Sequence, residues 1–118
     1  MSMESFFSPQ SVAVVGASRQ KGKVGHEIVA SLVRDEFPGK IFPVNPKADE
    51  VEGLPCHPDL PSIGEVPDLV VIVVPPKIVP AVMQECADVG VGSVIIITAG
   101  FKEVGEDGRA LELAILQI

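Results

Sequence analysis

At 118 residues the chain has room for one domain with a single core. Its longest apolar run, the six residues Leu69 to Val74, falls far short of the roughly 20 that cross a membrane. Sixteen acids against nine bases give a net charge of −7 which, with five Phe and no Trp or Tyr, argues against a nucleic-acid partner.

Met1 to Pro9 has neither the basic start nor the apolar stretch of a signal peptide, and its Phe6 and Phe7 are expected to cover an edge or end of a sheet. Val12 to Val15 is apolar without alternation, the pattern of a strand buried on both faces, as in parallel sheets. Gly16 lets the backbone leave that strand sharply, and Gly22 and Gly25 allow close approach of a ligand and of the next helix. Arg19, Lys21 and Lys23 fall between Pro9 and His26 with no acid among them, so an acidic chain carries a local positive loop. An anionic ligand follows. Apolar residues at Ile28, Val29, Leu32 and Val33 have the spacing of a helix face, and a helix N-terminus with its free N–H groups favours phosphate. His26 at its start reads as a solvated first-turn residue.

The glycine spacing narrows the ligand. A dinucleotide fingerprint needs glycines at relative positions one, three and six and an acid about 20 residues on. Here they stand at one, seven and ten, and the next strand ends in Pro43-Val44-Asn45-Pro46-Lys47, with a base where the acid should be. No Gly-Lys-Ser/Thr follows, so it is not a Walker A loop. The plain alternative is a tight strand-to-helix turn with solvated lysines.

Phe37-Pro38-Gly39 is expected to stop the first helix, and Lys40 to Val44 reads as a second strand with Pro43 at an edge or at the strand's end. Asn45 to Asp68 carries Pro46, Pro55, Pro58, Pro61 and Pro67, which excludes a long helix and leaves a crossover of loops with one short turn at Leu60 to Ile63. Leu69 to Val74 is the next strand and ends at Pro75-Pro76-Lys77. A helix follows with Ile78, Val82, Met83, Cys86 and Val89 on its core face, Pro80 in its first turn, and Gly90 and Gly92 at its end. Val94 to Ile97 is a fourth strand, followed by Thr98-Ala99-Gly100-Phe101. A final helix is expected to carry Leu111, Ala114, Ile115 and Ile118 on one side, with no stop signal, as if cut from something longer.

Strands alternating with helices predict an α/β fold: one small Rossmann-like domain with a doubly wound parallel sheet and right-handed crossovers. Ligands bind such sheets beyond the carboxyl ends of the strands. That brings Gly16 to Gly25, Val74 to Lys77 and Thr98 to Phe101 into one site, with Asn45 to Lys47 at its margin. Pro75-Pro76 presents a stiff apolar ledge, or simply a rigid strand end. Cys56, His57, Cys86 and His26 lack metal-ligand spacing; Cys86 reads as core, and Cys56 and His57 as surface. Two cysteines form no disulfide framework, and a reducing, cytoplasmic compartment is the default. Glu103, Glu106 and Asp107 need no account beyond the dipole of the final helix. No catalytic arrangement and no metal site is expected.

Phe6-Phe7-Ser8-Pro9, Val14-Val15-Gly16-Ala17-Ser18, Pro43-Val44-Asn45-Pro46-Lys47, Val74-Pro75-Pro76, and Ala99-Gly100-Phe101 with Glu103 and Gly105 carry a resemblance that spans nearly the whole chain. It resembles the N-terminal CoA-binding domain of ADP-forming acyl-CoA synthetases, relatives of the succinyl-CoA synthetase α subunit. The same domain also opens some bacterial protein lysine acetyltransferases. The resemblance implies CoA contacts at Ser18, Arg19, Gln20 and Lys21, at Lys47, and at Val74, Pro75 and Pro76. Gly16, Gly22, Gly25, Asn45, Ala99 and Gly100 complete the candidate set. The implied reaction is acyl-CoA plus ADP and phosphate giving acid, CoA and ATP. It runs through a phosphohistidine on further domains and uses a nucleotide-grasp domain, on the same or another chain, so this part alone is not expected to catalyse it. Two other classes stand beside this one: an NADP-binding oxidoreductase domain with Lys47 on the 2′-phosphate, and a non-catalytic regulatory module.

Overall fold

The computed structural model describes residues 9–99 and the strand 111–117, with side chains over residues 9–97. Met1 to Ser8, and with them Phe6 and Phe7, lie outside it, as do Gly100, Phe101, Glu103, Gly105, Glu106 and Asp107.

Strand β1 (Ser11–Val15) is buried along its whole length. Successive side chains of a strand point to opposite faces, and the core divides accordingly. Val12 and Val14 join Leu69, Val71, Val29 and Val51 in one cluster, while Ala13 and Val15 join Val70, Ile72, Val82, Cys86, Leu60 and Val94 in the other. Helix α1 (Val24–Arg34) supplies Val29 to the first cluster, and helix α2 (Val79–Val89) supplies Val82 and Cys86 to the second. The helices therefore cover opposite faces, which is the doubly wound arrangement expected.

Strands β1, β2 (Lys40–Val44), β5 (Leu69–Ile72) and β6 (Ser93–Ala99) pair in parallel in the order β2-β1-β5-β6. Because β2 lies on one side of β1 and β5 on the other, the winding reverses at β1. Pro43 sits on the edge strand, where its missing donor costs no ladder bond to a further strand.

The chain after β2 holds more structure than loops. A small hairpin, β3 (Glu50–Val51) with β4 (Leu54–Pro55), places Val51 against the α1 face, and a 3₁₀ turn at Pro61–Ile63, close to the one expected, follows the buried Leu60 on the α2 face. Burying a Val or Leu fully is worth about 1.5–3 kcal/mol. Between these anchors the segment rounds the outer edge of β2: His57 donates its N–H to Pro43 O at 2.9 Å, and Asn45 N–H donates to His57 O at 2.8 Å.

Four expectations are corrected. The last element is a strand, β7 (Leu111–Gln117), antiparallel to β6 over its whole length, and not a helix. A short apolar run fits either period, and the free edge of β6 offers it a ladder. Helix α1 stops at Arg34, before Phe37-Pro38-Gly39: Glu36 turns the chain with φ 57°, and Phe37 N–H reaches back to Leu32 O at 2.9 Å. Gly39 serves a close contact instead of a reversal, since a Cβ there would stand 2.3 Å from Gln10 O. Ile78 leaves the core face of α2 and is 43% exposed, beside the exposed Pro75 and Pro76. Gly90 ends α2 as expected, its N–H and that of Val91 both on Cys86 O.

Candidate functional site at the carboxyl ends of the strands

At the end of β1 three strands are locked together. Gly16 N–H donates to Val44 O at 3.0 Å, and Val73 N–H donates to Val15 O at 2.8 Å. Gly16 has φ +96°, and a Cβ there would lie 2.0 Å from Val73 O and 3.2 Å from Val74 Cγ1. Only glycine meets both demands. Gly25 answers a different one: a Cβ on it would stand 2.0 Å from Gly16 O, so its absence lets α1 begin directly against the turn.

Between these glycines the loop is held by short-range bonds and presents its charges outward. Ser18 Oγ accepts Gln20 N–H at 3.0 Å, and Lys23 N–H donates to Gln20 O at 3.2 Å. Arg19, Gln20, Lys21, Gly22 and Lys23 are all exposed. Helix α1 starts without a side-chain cap on its first-turn N–H groups. Glu27 Oε2 lies 3.4 Å from Gly22 N, and this N–H bond, followed by the one to His26, holds the Glu27 carboxyl below the usual carboxylate range.

The second wall comes from the chain after β2. Asn45 donates Nδ2–H to Ala17 O at 2.7 Å and accepts Lys47 N–H on Oδ1 at 2.8 Å, tying the two loops together. Ser18, Arg19, Gln20, Asn45, Lys47 and Ala48 then line an open groove of about 480 Å³. No carboxylate is among them. Among the described residues Arg19, Lys21, Lys23 and Lys47 form no ion pair, whereas Lys40 is paired with Glu65 at 3.1 Å. Cys56, half-buried behind Asn45 with its thiol 3.7 Å from Asn45 O, has its pKa pushed up by burial. Exposed donors and cations of this kind match the oxygens of a polyanion.

Of the candidate residues, Ser18, Arg19, Gln20, Asn45 and Lys47 meet in this groove. Gly16 and Gly25 lie beneath it, and Val74 is packed against Gly16 with the exposed Pro75 and Pro76 following. Lys21 and Gly22 sit on the loop outside the lining, and Ala99 ends β6. Ala48 lines the groove without having been singled out; following Lys47, it carries no chemical signal of its own. His26 is not solvated: it is 5% exposed, with Nε2 2.7 Å from Glu52 of the β3–β4 turn and Nδ1 3.3 Å from Glu27. Among the described residues no group of His, Cys, Asp and Glu could hold a metal ion, and no helix is long and apolar enough to cross a membrane.

Comparison with known proteins agrees with this fold. A family profile described as a CoA binding domain matches residues 10–115. The chain is 47% identical over 116 residues to acetate–CoA ligase (ADP-forming) II of Archaeoglobus fulgidus, covering 98% of this chain and 17% of that protein. It is 42% identical over 121 residues to the α subunit of acetate–CoA ligase (ADP-forming) I of Pyrococcus furiosus, covering 99% and 26%. The fold is similar to the dinucleotide-forming acetyl-coenzyme A synthetase 1 of Ca. Korarchaeum cryptofilum, solved with phosphate and ADP, at a TM-score of 0.80 and 40% identity over 85% of this chain and 22% of that one. The chain thus spans about a quarter or less of these relatives.

Proposed function

This chain belongs to the CoA binding domain family, and from that premise we propose that its groove holds the ADP portion of coenzyme A and directs the thiol toward a catalytic centre supplied by other domains or another chain. The observation that carries the reading is a groove with no carboxylate, walled by Arg19 and Lys47, at the reversal point of a parallel sheet on a chain of net charge −7. A ligand rich in phosphate fits that charge pattern, and Val74, Pro75 and Pro76 offer it an apolar shelf at the neighbouring strand end.

The whole reaction proposed is that of an ADP-forming acyl-CoA synthetase, acyl-CoA plus ADP and phosphate giving acid, CoA and ATP. CoA is a substrate in it. This chain contributes the CoA-binding part, at Ser18, Arg19, Gln20, Lys21, Lys47 and the Val74–Pro76 shelf. The two free thiols suit a reducing compartment, and the cytoplasm belongs to the proposal on that ground.

Thermal unfolding in parallel titrations of CoA, NADPH, NADH and ATP tests the binding claim. CoA raises the midpoint with concentration, since a ligand bound only by the folded state stabilises it. A shift with NADPH and none with CoA overturns the reading in favour of a nicotinamide site.

A further inference from the structure

Asn45 lies in the groove, yet its side chain faces protein on both sides. Nδ2 meets Ala17 O at 2.7 Å and Oδ1 meets Lys47 N–H at 2.8 Å. The orientation of the amide is fixed by chemistry, because a carbonyl can only accept and a backbone N–H can only donate. Its backbone is engaged as well: Asn45 N–H on His57 O at 2.8 Å, and Asn45 O receiving Ala48 N–H at 3.3 Å.

Resting on the reading that the groove holds the ADP portion of CoA, we propose that Asn45 is a positioning residue that makes the groove selective for a phosphorylated ribose over a free ribose diol. It does so in two ways. First, it folds Asn45-Pro46-Lys47 into a tight turn and pins that turn to the end of β1, 28 residues away, so Lys47 is held in the wall opposite Arg19. Second, a free diol is gripped by a carboxylate acceptor near the end of the second strand. Here the residue at that strand end is a neutral amide, one of whose oxygen's two acceptor sites is already taken by Lys47 N–H, and the lining holds no carboxylate to replace it. The charged groups that remain, Arg19 and Lys47, are donors only, and they match phosphate oxygens.

The test is calorimetry of CoA and 3′-dephospho-CoA with wild type, Asn45→Ala, Asn45→Ser, Lys47→Ala and the Asn45→Ala/Lys47→Ala double variant. Wild type prefers CoA, and Asn45→Ala brings the ratio of the two affinities several-fold closer to one, because Lys47 is no longer held. The serine hydroxyl can keep the turn bond to Lys47 N–H but cannot reach Ala17 O, so Asn45→Ser gives an intermediate ratio and also serves if the alanine variant fails to fold. In the double variant the ratio equals that of Lys47→Ala alone, the mark of one residue acting through the other. Equal weakening of both ligands with an unchanged ratio overturns the inference, since general loosening or direct contact with the shared part of the ligand would do that. A wild type that binds CoA without distinguishing it from 3′-dephospho-CoA also overturns it. A wild type that binds neither ligand refutes instead the CoA reading beneath it.

Discussion

Lys47 illustrates how a single side chain can be legible in sequence while its setting is not. A lysine just past a strand, where dinucleotide folds carry an acid, already points to phosphate. What spacing could not supply is the clamp that holds its turn, because Asn45 Nδ2 and Ala17 O are brought together only by the pairing of β1 with β2. Lys47 makes no ion pair among the described residues, so its charge is available to a ligand. A charge-assisted hydrogen bond is worth about 1.5–3 kcal/mol. Lys47→Ala should therefore weaken CoA binding roughly 10- to 150-fold by calorimetry, with a difference that shrinks as salt is added. His26 is the opposite case: a lone histidine at a helix start carries no signal of burial, and its partner Glu52 lies 26 residues on in a hairpin of two-residue strands that no periodicity could reveal.

Among the elements, α1 depends most closely on one small residue. Gly25→Ala puts a methyl group 2.0 Å from Gly16 O, a contact only backbone movement relieves. Overpacking of this kind costs about 1–3 kcal/mol. Denaturant unfolding should register that loss, and CoA affinity should fall with it, since the helix start and the loop before it move together. Helix α2 carries a pH dependence through Cys86, which is fully buried and whose thiol pKa burial pushes up to about 11. Between about pH 9 and 11 the folded chain keeps a proton that the unfolded chain has lost. Stability therefore falls as pH rises through that window, by roughly 2–3 kcal/mol at its upper end. The chain has no Tyr to mask the effect. Urea unfolding at pH 8 and pH 10.5 should show a smaller alkaline loss for Cys86→Ala than for wild type. Elements with strong patterns, β1, β2, α1 and α2, were readable to within a few residues. The final strand was not, because LELAIL satisfies both a helical face and strand alternation, and only the open edge of β6 decides between them.

At the scale of the molecule, alternation of strands and helices was enough to predict the parallel sheet, and the reversal at β1 follows once β2 and β5 flank it. A reaction could not be read the same way, because the described groove lining holds no nucleophile and base pair. The purified 118-residue chain should bind CoA and yet release no CoA from acetyl-CoA with ADP and phosphate, as followed by free-thiol assay; turnover above the protein-free rate would contradict the division of labour proposed. The locked junction of β1, β2 and β5 under the groove bears on the entropy of association. Its backbone is tied together without any ligand contact, by Gly16 N–H on Val44 O and Val73 N–H on Val15 O. The ordering penalty of binding then falls on the long exposed side chains, at about 0.5–1.5 kcal/mol for each one stilled. On the proposed reading, Arg19, Lys21 and Lys47 are where rotamer freedom would be lost, so changes that stiffen them should tighten the complex without adding a contact.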